Sequence, residues 1–495
     1  MLASNSGLRA GGRDLRCIWP HATVEWMKTL LDPPAPLPAE HAPGHGSSTR
    51  RRGVIAGVTS VVLVAGLVIS VVGFDANRHR SPATSAPPGI RVVGGPGGST
   101  QLVANITSGP TQAVGAADVA GLATAEEAFT LELTRLELAD AGDQNVLLSP
   151  MSAHLDLSML ELGSAGATAG EIAAALQSAG VSPAEQAATW STLVQHLMAG
   201  ESTGELTLAN SVWVQDGLHV QSRFLEEAAR AFGNDTYQVD FGSSSAAQAI
   251  NSWVANATKG RITQLFAPGQ LPAATSFVLA NTLRFHAAWQ PGLFAGAEIA
   301  TEPFHTAASG SVRVPTLVAP QSRLSFAKGS GYEAVELPYT NGRFAALLVE
   351  PTTSSLGSWL GSLSVARLSA IVGSLRSGYV DFSMPVLHLS ADGNLDAPLS
   401  SMGMGAAFES ADFSPLIGAD GGEEALAVVQ QAATLDVNKW GTDAAAATGT
   451  VAIPVARLLA PAISFDHPYL FLIRDTATGT ILFSSVVDDP ADAAA

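Results

Sequence analysis

Asn145-Val-Leu-Leu-Ser-Pro-Met-Ser152 is the stretch on which the reading of this chain turns. Asn145 to Leu148 is a short apolar strand, and the turn-prone pair Ser149-Pro150 ends it. Upstream, Val119 to Asp140 has helical spacing, with Leu122, Ala125, Phe129, Leu133 and Leu136 on one face. Downstream, helical stretches follow around Ala153–Leu162, Ala169–Leu176 and Pro183–Leu197. Strand-like runs then take over, at Thr207–Val214, Ser276–Phe285, Ala345–Glu350, Tyr379–Phe382, Tyr469–Ile473 and Ile481–Val487. Helices dominate early and strands late, with no regular βαβ alternation and no internal repeat. That order specifies an α+β fold rather than a doubly wound sheet.

The chain has 495 residues, 47% of them hydrophobic and 14% charged, which is ample material for a large core and excludes a largely disordered chain. Its net charge of −18 is unevenly spread. Residues 1–91 hold 10 of the 25 Lys+Arg and 5 of the 43 Asp+Glu, leaving 15 against 38 in the rest. A surface that acidic repels phosphate backbones and attracts cationic partners, so nucleic acid is excluded as a ligand. Cys17 is the only cysteine, and no intramolecular disulfide can form. The excess of Ala, Gly and Pro is the composition that GC-rich bacterial coding gives.

Val54 to Phe74 runs 21 residues without a charge, enough at about 1.5 Å per residue to span a hydrocarbon core of roughly 30 Å. The apolar region of a cleaved signal peptide is shorter, about 7–15 residues, and lies near the N-terminus. Length and position therefore favour an uncleaved signal anchor, with cleavage and secretion as the alternative. Arg50, Arg51 and Arg52 abut the span on its N-terminal side and place residues 1–53 in the cytoplasm. Gly, Pro, Ser and Thr crowd Ser81 to Thr100, so residues 75–115 read as a flexible extracellular linker before a domain at 116–490.

The chain carries no GxSxG elbow, HExxH, CxxC or Gly-rich phosphate loop before a Lys. Its eleven histidines are scattered singly. Nothing assembles an active site, a metal centre or a cofactor site, so the chain does not read as an enzyme.

Several segments line up with one family in one order. Asn145 to Ser152, followed by Met159-Leu-Glu-Leu-Gly163, resembles a segment and helix of the serpin family. Leu208-Ala-Asn-Ser-Val-Trp-Val-Gln215 is similar to a family sheet strand. Ile250-Asn-Ser-Trp-Val254 with Thr258-Lys-Gly-Arg-Ile262 is similar to a further family stretch, and Val278-Leu-Ala-Asn281, with Trp289 and Phe294 behind it, resembles the family's breach strand. Ala411-Asp-Phe-Ser414 and Asp466-His-Pro-Tyr-Leu-Phe471 complete a collinear series over about three quarters of the chain. The resemblance implies three β-sheets, about nine helices and an exposed reactive-centre loop. It implies a monomer that inhibits serine proteases outside the cell. The protease cleaves the loop, is acylated and is trapped as the loop inserts into the large sheet. It also implies that Ser149, Ser152, Asn210, Asn281, Trp289 and Gln431 line the shutter and breach where that sheet opens.

By the same resemblance the loop runs from Gly441 to about Pro461. Insertion as a central strand requires a hinge that bends, small alternate side chains and no early proline. The hinge Gly441, Thr442, Asp443, Ala444, Ala445, Ala446, Ala447 and Thr448 meets these demands, and Pro454 comes only at the end of the inserting part. The sequence departs from the family in Lys439-Trp440 before the hinge, in Asp443 for the usual Glu, and in Gln431 for a frequent His. Gln431 has a donor and an acceptor, which suit Ser152 or Asn210.

Counting forward from Gly441 places the reactive bond at Val455–Ala456, which suits an elastase-like protease. Counting back from Pro468 permits Arg457–Leu458, which suits a trypsin-like one. A serpin-like binding or structural protein on the cell surface, without inhibition, is the alternative function.

Overall fold

A computed structural model describes residues 90–104, 113–199, 206–233, 235–273, 275–308, 310–418, 426–443 and 460–491. The expected cytoplasmic segment 1–53 and span Val54–Phe74 lie outside the described residues. Among the described residues, no helix is long and apolar enough to cross a membrane.

The helices read from apolar spacing are present at Ala116–Ala141, Pro150–Leu162, Gly166–Ala175 and Pro183–Met198. The first buries Leu122, Phe129 and Leu133 on one face. The second begins with Pro150, which has no N–H to leave unpaired there, and is buried along almost its whole length. It is the axis around which the two sheets assemble.

The strand pairings of the described residues join into two nine-stranded networks. The first runs from Ile90–Gly94 through Thr100–Ala104, Asp235–Val239, Leu206–Gln215 and Phe277–Phe285 to Leu426–Asn438, which also pairs with Leu387–Asn394. Its centre is a parallel pair: Phe277–Phe285 and Leu426–Asn438 match from Leu426↔Phe277 to Ala432↔Thr282, and the ladder stops there. The second network has Ser311–Gly329, Phe344–Pro351, Tyr469–Asp475 and Ile481–Val487 among its members. The three expected sheets appear as two hydrogen-bonded networks because the 19-residue strand Ser311–Gly329 pairs with Glu298–His305 at one end and Tyr332–Pro338 at the other.

Within the expected linker at 75–115, residues 90–104 are ordered strands and a turn. Ile90–Gly94 and Thr100–Ala104 form an antiparallel hairpin, and Thr100–Ala104 adds to the edge strand Asp235–Val239. Ile90 and Leu102 are buried, and Gln101 Nε2 donates to Asp235 Oδ1 at 2.9 Å. The Gly/Pro-rich turn between the strands packs on the helix Ser245–Ala257. Gly97 has φ +60, and a Cβ there would collide with the Ala249 backbone. A composition that reads as a flexible linker is here the tight turn of a hairpin whose strands carry Val92, Val93, Leu102 and Val103.

Candidate functional site

The hinge begins inside the first sheet. After Asn438 the chain turns through Lys439-Trp440 and comes back as Gly441–Thr442, antiparallel to Val437–Asn438 on one side and to Ala287–Ala288 on the other. The Asp443 N–H donates to the Asp436 carbonyl at 2.7 Å, a third rung in the same direction. These residues sit just beyond the point where the central parallel ladder ends. Gly441 has φ +151, and a Cβ would fall on the Ala287 carbonyl oxygen, so only glycine fits.

Thr442 is buried, and its Oγ1 lies 2.6 Å from the Tyr339 hydroxyl. Tyr339 stacks on Trp289 with centroids 4.5 Å apart. Trp289 holds the turn with two donors, its Nε1–H to the Asn438 carbonyl at 2.8 Å and its N–H to the Trp440 carbonyl at 3.0 Å. The bulk of Trp440 lies under the Lys439 ammonium, 4.6 Å from the ring centroid.

Asp443 turns off the sheet at φ +50. Its carboxylate bonds Arg284 Nη2 at 2.6 Å and also Arg261, with His286 Nδ1 at 3.5 Å. Arg261 and His388 also reach Asp436. A two-residue strand is thus fixed from below by a hydroxyl pair and from above by a carboxylate held between cations.

Further along the parallel seam, a polar row crosses the sheet in register, Asn210↔Asn281 and Asn281↔Gln431. Two of the three reach down to the helix Pro150–Leu162 and its first turn. Gln431 Oε1 accepts from the Ser149 N–H and its Nε2 donates to the Ser149 carbonyl, both at 2.7 Å. The expected partners Ser152 and Asn210 are therefore replaced by the Ser149 backbone, which offers a donor and an acceptor together. Ser149 Oγ is 3.1 Å from Ser152 Oγ.

Asn281 Nδ2 donates to Asp156 Oδ2 at 2.9 Å. Asp156 is fully buried, and desolvation pushes its carboxyl up to about 8 against the pull of that hydrogen bond. Asp156 Oδ1 and Asn281 Oδ1 are both buried without a hydrogen-bond partner. Desolvation of this kind favours the protonated carboxyl.

The Serpin (serine protease inhibitor) family model matches residues 124–490. Human neuroserpin is 30% identical over 362 residues, 71% of this chain and 88% of that protein. The chain belongs to the serpin family.

A serpin-like protein of Thermococcus kodakarensis is 31% identical over 74% of this chain and 84% of its own length. Native tengpin, a thermophilic serpin, shares the fold at TM-score 0.70 and 22% identity, over 78% of this chain and 97% of its own. The human thyroxine-binding globulin complexed with thyroxine matches at TM-score 0.67 and 26% identity, over 75% of this chain and 99% of its own. Serpins are protease inhibitors or binding proteins, not enzymes. The N-terminal hairpin of this serpin precedes the residues that the family model matches.

Of the expected site residues, Gly441, Thr442 and Asp443 meet Trp289 at the hinge, and Ser149, Ser152, Asn281 and Gln431 meet along the seam. Asn210 is in register beside them, its Oδ1 buried without a partner. Ala444, Ala445, Ala446, Ala447, Thr448 and both candidate bonds, Val455–Ala456 and Arg457–Leu458, lie outside the described residues. The sequence reading missed Tyr339, Asp156, Arg261 and Arg284 as members of the site. Arg261 stood inside a quoted motif. The others join only through contacts between residues far apart in the chain, which no local spacing reveals.

Proposed function

We propose that this serpin inhibits serine proteases as a suicide substrate, by loop cleavage, acyl-enzyme trapping and strand insertion. The observation that carries the reading is the seating of Gly441–Thr442 between Leu426–Asn438 and Ala287–Ala288, the start of the strand that the cleaved loop would complete. The next residues that would point into the core, Ala444, Ala446, Thr448 and Thr450, are small. The domain is displayed outside the cell on Val54–Phe74, with secretion as the alternative, and its acidic surface favours a cationic protease. The reactive bond is Val455–Ala456, facing an elastase-like pocket, rather than Arg457–Leu458, facing a trypsin-like one. Incubation with one protease of each kind, followed by denaturing electrophoresis and mass spectrometry of the released peptide, tests this. Covalent complexes with the elastase-like enzyme and a peptide beginning at Ala456 are expected. A peptide beginning at Leu458, with complexes only for the trypsin-like enzyme, overturns the assignment of the bond.

The second reading, a serpin that binds without inhibiting, draws on Lys439-Trp440, whose turn is tied to Trp289 at the mouth of the seam. It predicts plain cleavage of the loop, without covalent complex.

A further inference from the structure

Far from the hinge, three side chains that the inhibitory reading does not use converge in a cavity of about 940 Å³. Glu350 lies near the end of the buried strand Phe344–Pro351, among Leu347, Leu348 and Val349. Asp466 and His467 stand in the short turn between Ala462–Ser464 and Tyr469–Asp475. One ligand atom from each of the three lies within 4.8 Å of the others. His467 Nδ1 is 2.7 Å from Asp466 Oδ1 and 3.8 Å from Glu350 Oε1. Two atoms bound to one ion at about 2.1 Å lie about 3.0 Å apart at a right angle and about 3.4 Å apart at a tetrahedral one. The two His467 separations bracket that range, and the third pair lies within 4.8 Å, so side-chain rotations close the set on one ion.

The charges are unbalanced in the direction that calls for a cation. Neither Glu350 nor Asp466 forms an ion pair with a Lys or Arg among the described residues. Arg135, which also lines the cavity, is taken by Glu132. Burial first, and then Asp466, pushes the Glu350 carboxyl up to about 8. Independently, Asp488 lines the same cavity, is 3% exposed, and leaves its Oδ2 without a hydrogen-bond partner. A buried carboxylate oxygen without a partner is costly unless something supplies a positive charge. His305 stacks on His467 at 4.8 Å between centroids, at the rim.

We propose that Glu350, Asp466 and His467 form a binding site for one divalent transition-metal cation of the zinc class, in the cavity that Asp488 also lines. Two carboxylates and an imidazole are the donor set that such ions take, and they leave a position for water. A bound ion would tie the middle of the second sheet to the segment that leads from the reactive loop into the last hairpin.

The test uses the full chain and needs no protease. Titration with Co²⁺, followed by visible absorption and calorimetry, should show one ion per chain, displaced by Zn²⁺, with a higher Tm in the bound form. Glu350→Gln should weaken binding at least tenfold while leaving the metal-free Tm equal or higher, since an amide of the same shape replaces a desolvated carboxyl. Asp466→Asn, at a half-exposed side chain, should weaken it likewise, and His305→Ala should change it less than threefold. No binding at millimolar Co²⁺ overturns the proposal. So does unchanged affinity in both carboxylate variants, or loss in His305→Ala alone, either of which would mark adventitious binding to the exposed histidines.

Discussion

Thr442 is already inside the sheet of the uncleaved protein, and two substitutions there separate that fact from what happens after cleavage. Thr442→Val keeps the shape and removes the hydroxyl that meets Tyr339 at 2.6 Å. A buried phenol left without a partner costs about 1–3 kcal/mol. At about 2.1 cal/mol/K per residue over residues 124–490, that lowers Tm by roughly 1–4 °C. The same loss is present before and after insertion, so it cancels from the barrier, and the moles of inhibitor consumed per mole of protease should change less than twofold. Thr442→Arg behaves differently. An unpaired guanidinium in that place costs several kcal/mol, more than the few backbone rungs of a two-residue strand return at about 1 kcal/mol each. The hinge then leaves the seam, and insertion must start from an empty one against the same penalty. Each 1.4 kcal/mol slows it tenfold, and deacylation wins. Thr442→Arg should therefore yield cleaved chain, with the stoichiometry of inhibition raised at least tenfold. Two results would refute the reasoning: undiminished covalent complexes from Thr442→Arg, or loss of inhibition in Thr442→Val without any fall in Tm.

Two more predictions concern parts of the molecule that move or hold still during insertion. Asp156 keeps its proton up to about 8 in the fold and near 4 when unfolded, so its contribution to stability is full below pH 4 and declines as pH rises toward 8. Glu126 and Glu350, also raised to about 8, act in the same sense. Asp156→Asn, which cannot titrate and still offers Asn281 a donor and an acceptor, should flatten the fall of Tm between pH 5 and pH 8 and be the more stable protein at pH 8. Parallel curves for variant and parent would remove the protonated pair. In the hairpin, Leu102→Asp in the full chain should strip Thr100–Ala104 from the sheet and expose the edge strand Asp235–Val239. Losing the burial of Ile90 and Leu102, at about 1.5–3 kcal/mol each before the entropy regained, should lower Tm by at least about 2 °C. Unchanged Tm and unchanged amide-exchange protection of Asp235–Val239 would show that the hairpin adds nothing.

What the sequence made legible was local. Apolar spacing located the four early helices because a helix records its buried face within a few residues, as Leu122, Phe129 and Leu133 do. Ser311–Gly329 escaped because its exposed and buried positions alternate irregularly along a strand that changes neighbours midway. The hairpin at 90–104 escaped because Gly95, Pro96, Gly97 and Gly98 have the composition of a linker. What distinguishes them is contact with Ala249, about 150 residues away.

The polar row under the seam shows why site residues were found without their roles. Asn281 and Gln431 are identifiable singly, but their work depends on being register neighbours on the two strands between which the proposed insertion would take place. Each fastens its strand to a different place on one helix, Asn281 to Asp156 and Gln431 to the Ser149 backbone. A strand entering between them must move one strand relative to that helix, and the two fastenings are not equal. Gln431 can follow only if both of its bonds break together, because both go to one residue. Asn281 has a single bond, to the Asp156 carboxyl. Movement on the Asn281 side therefore has the smaller cost, and the half-sheet that should shift is the one carrying Leu206–Gln215, Asp235–Val239 and the N-terminal hairpin.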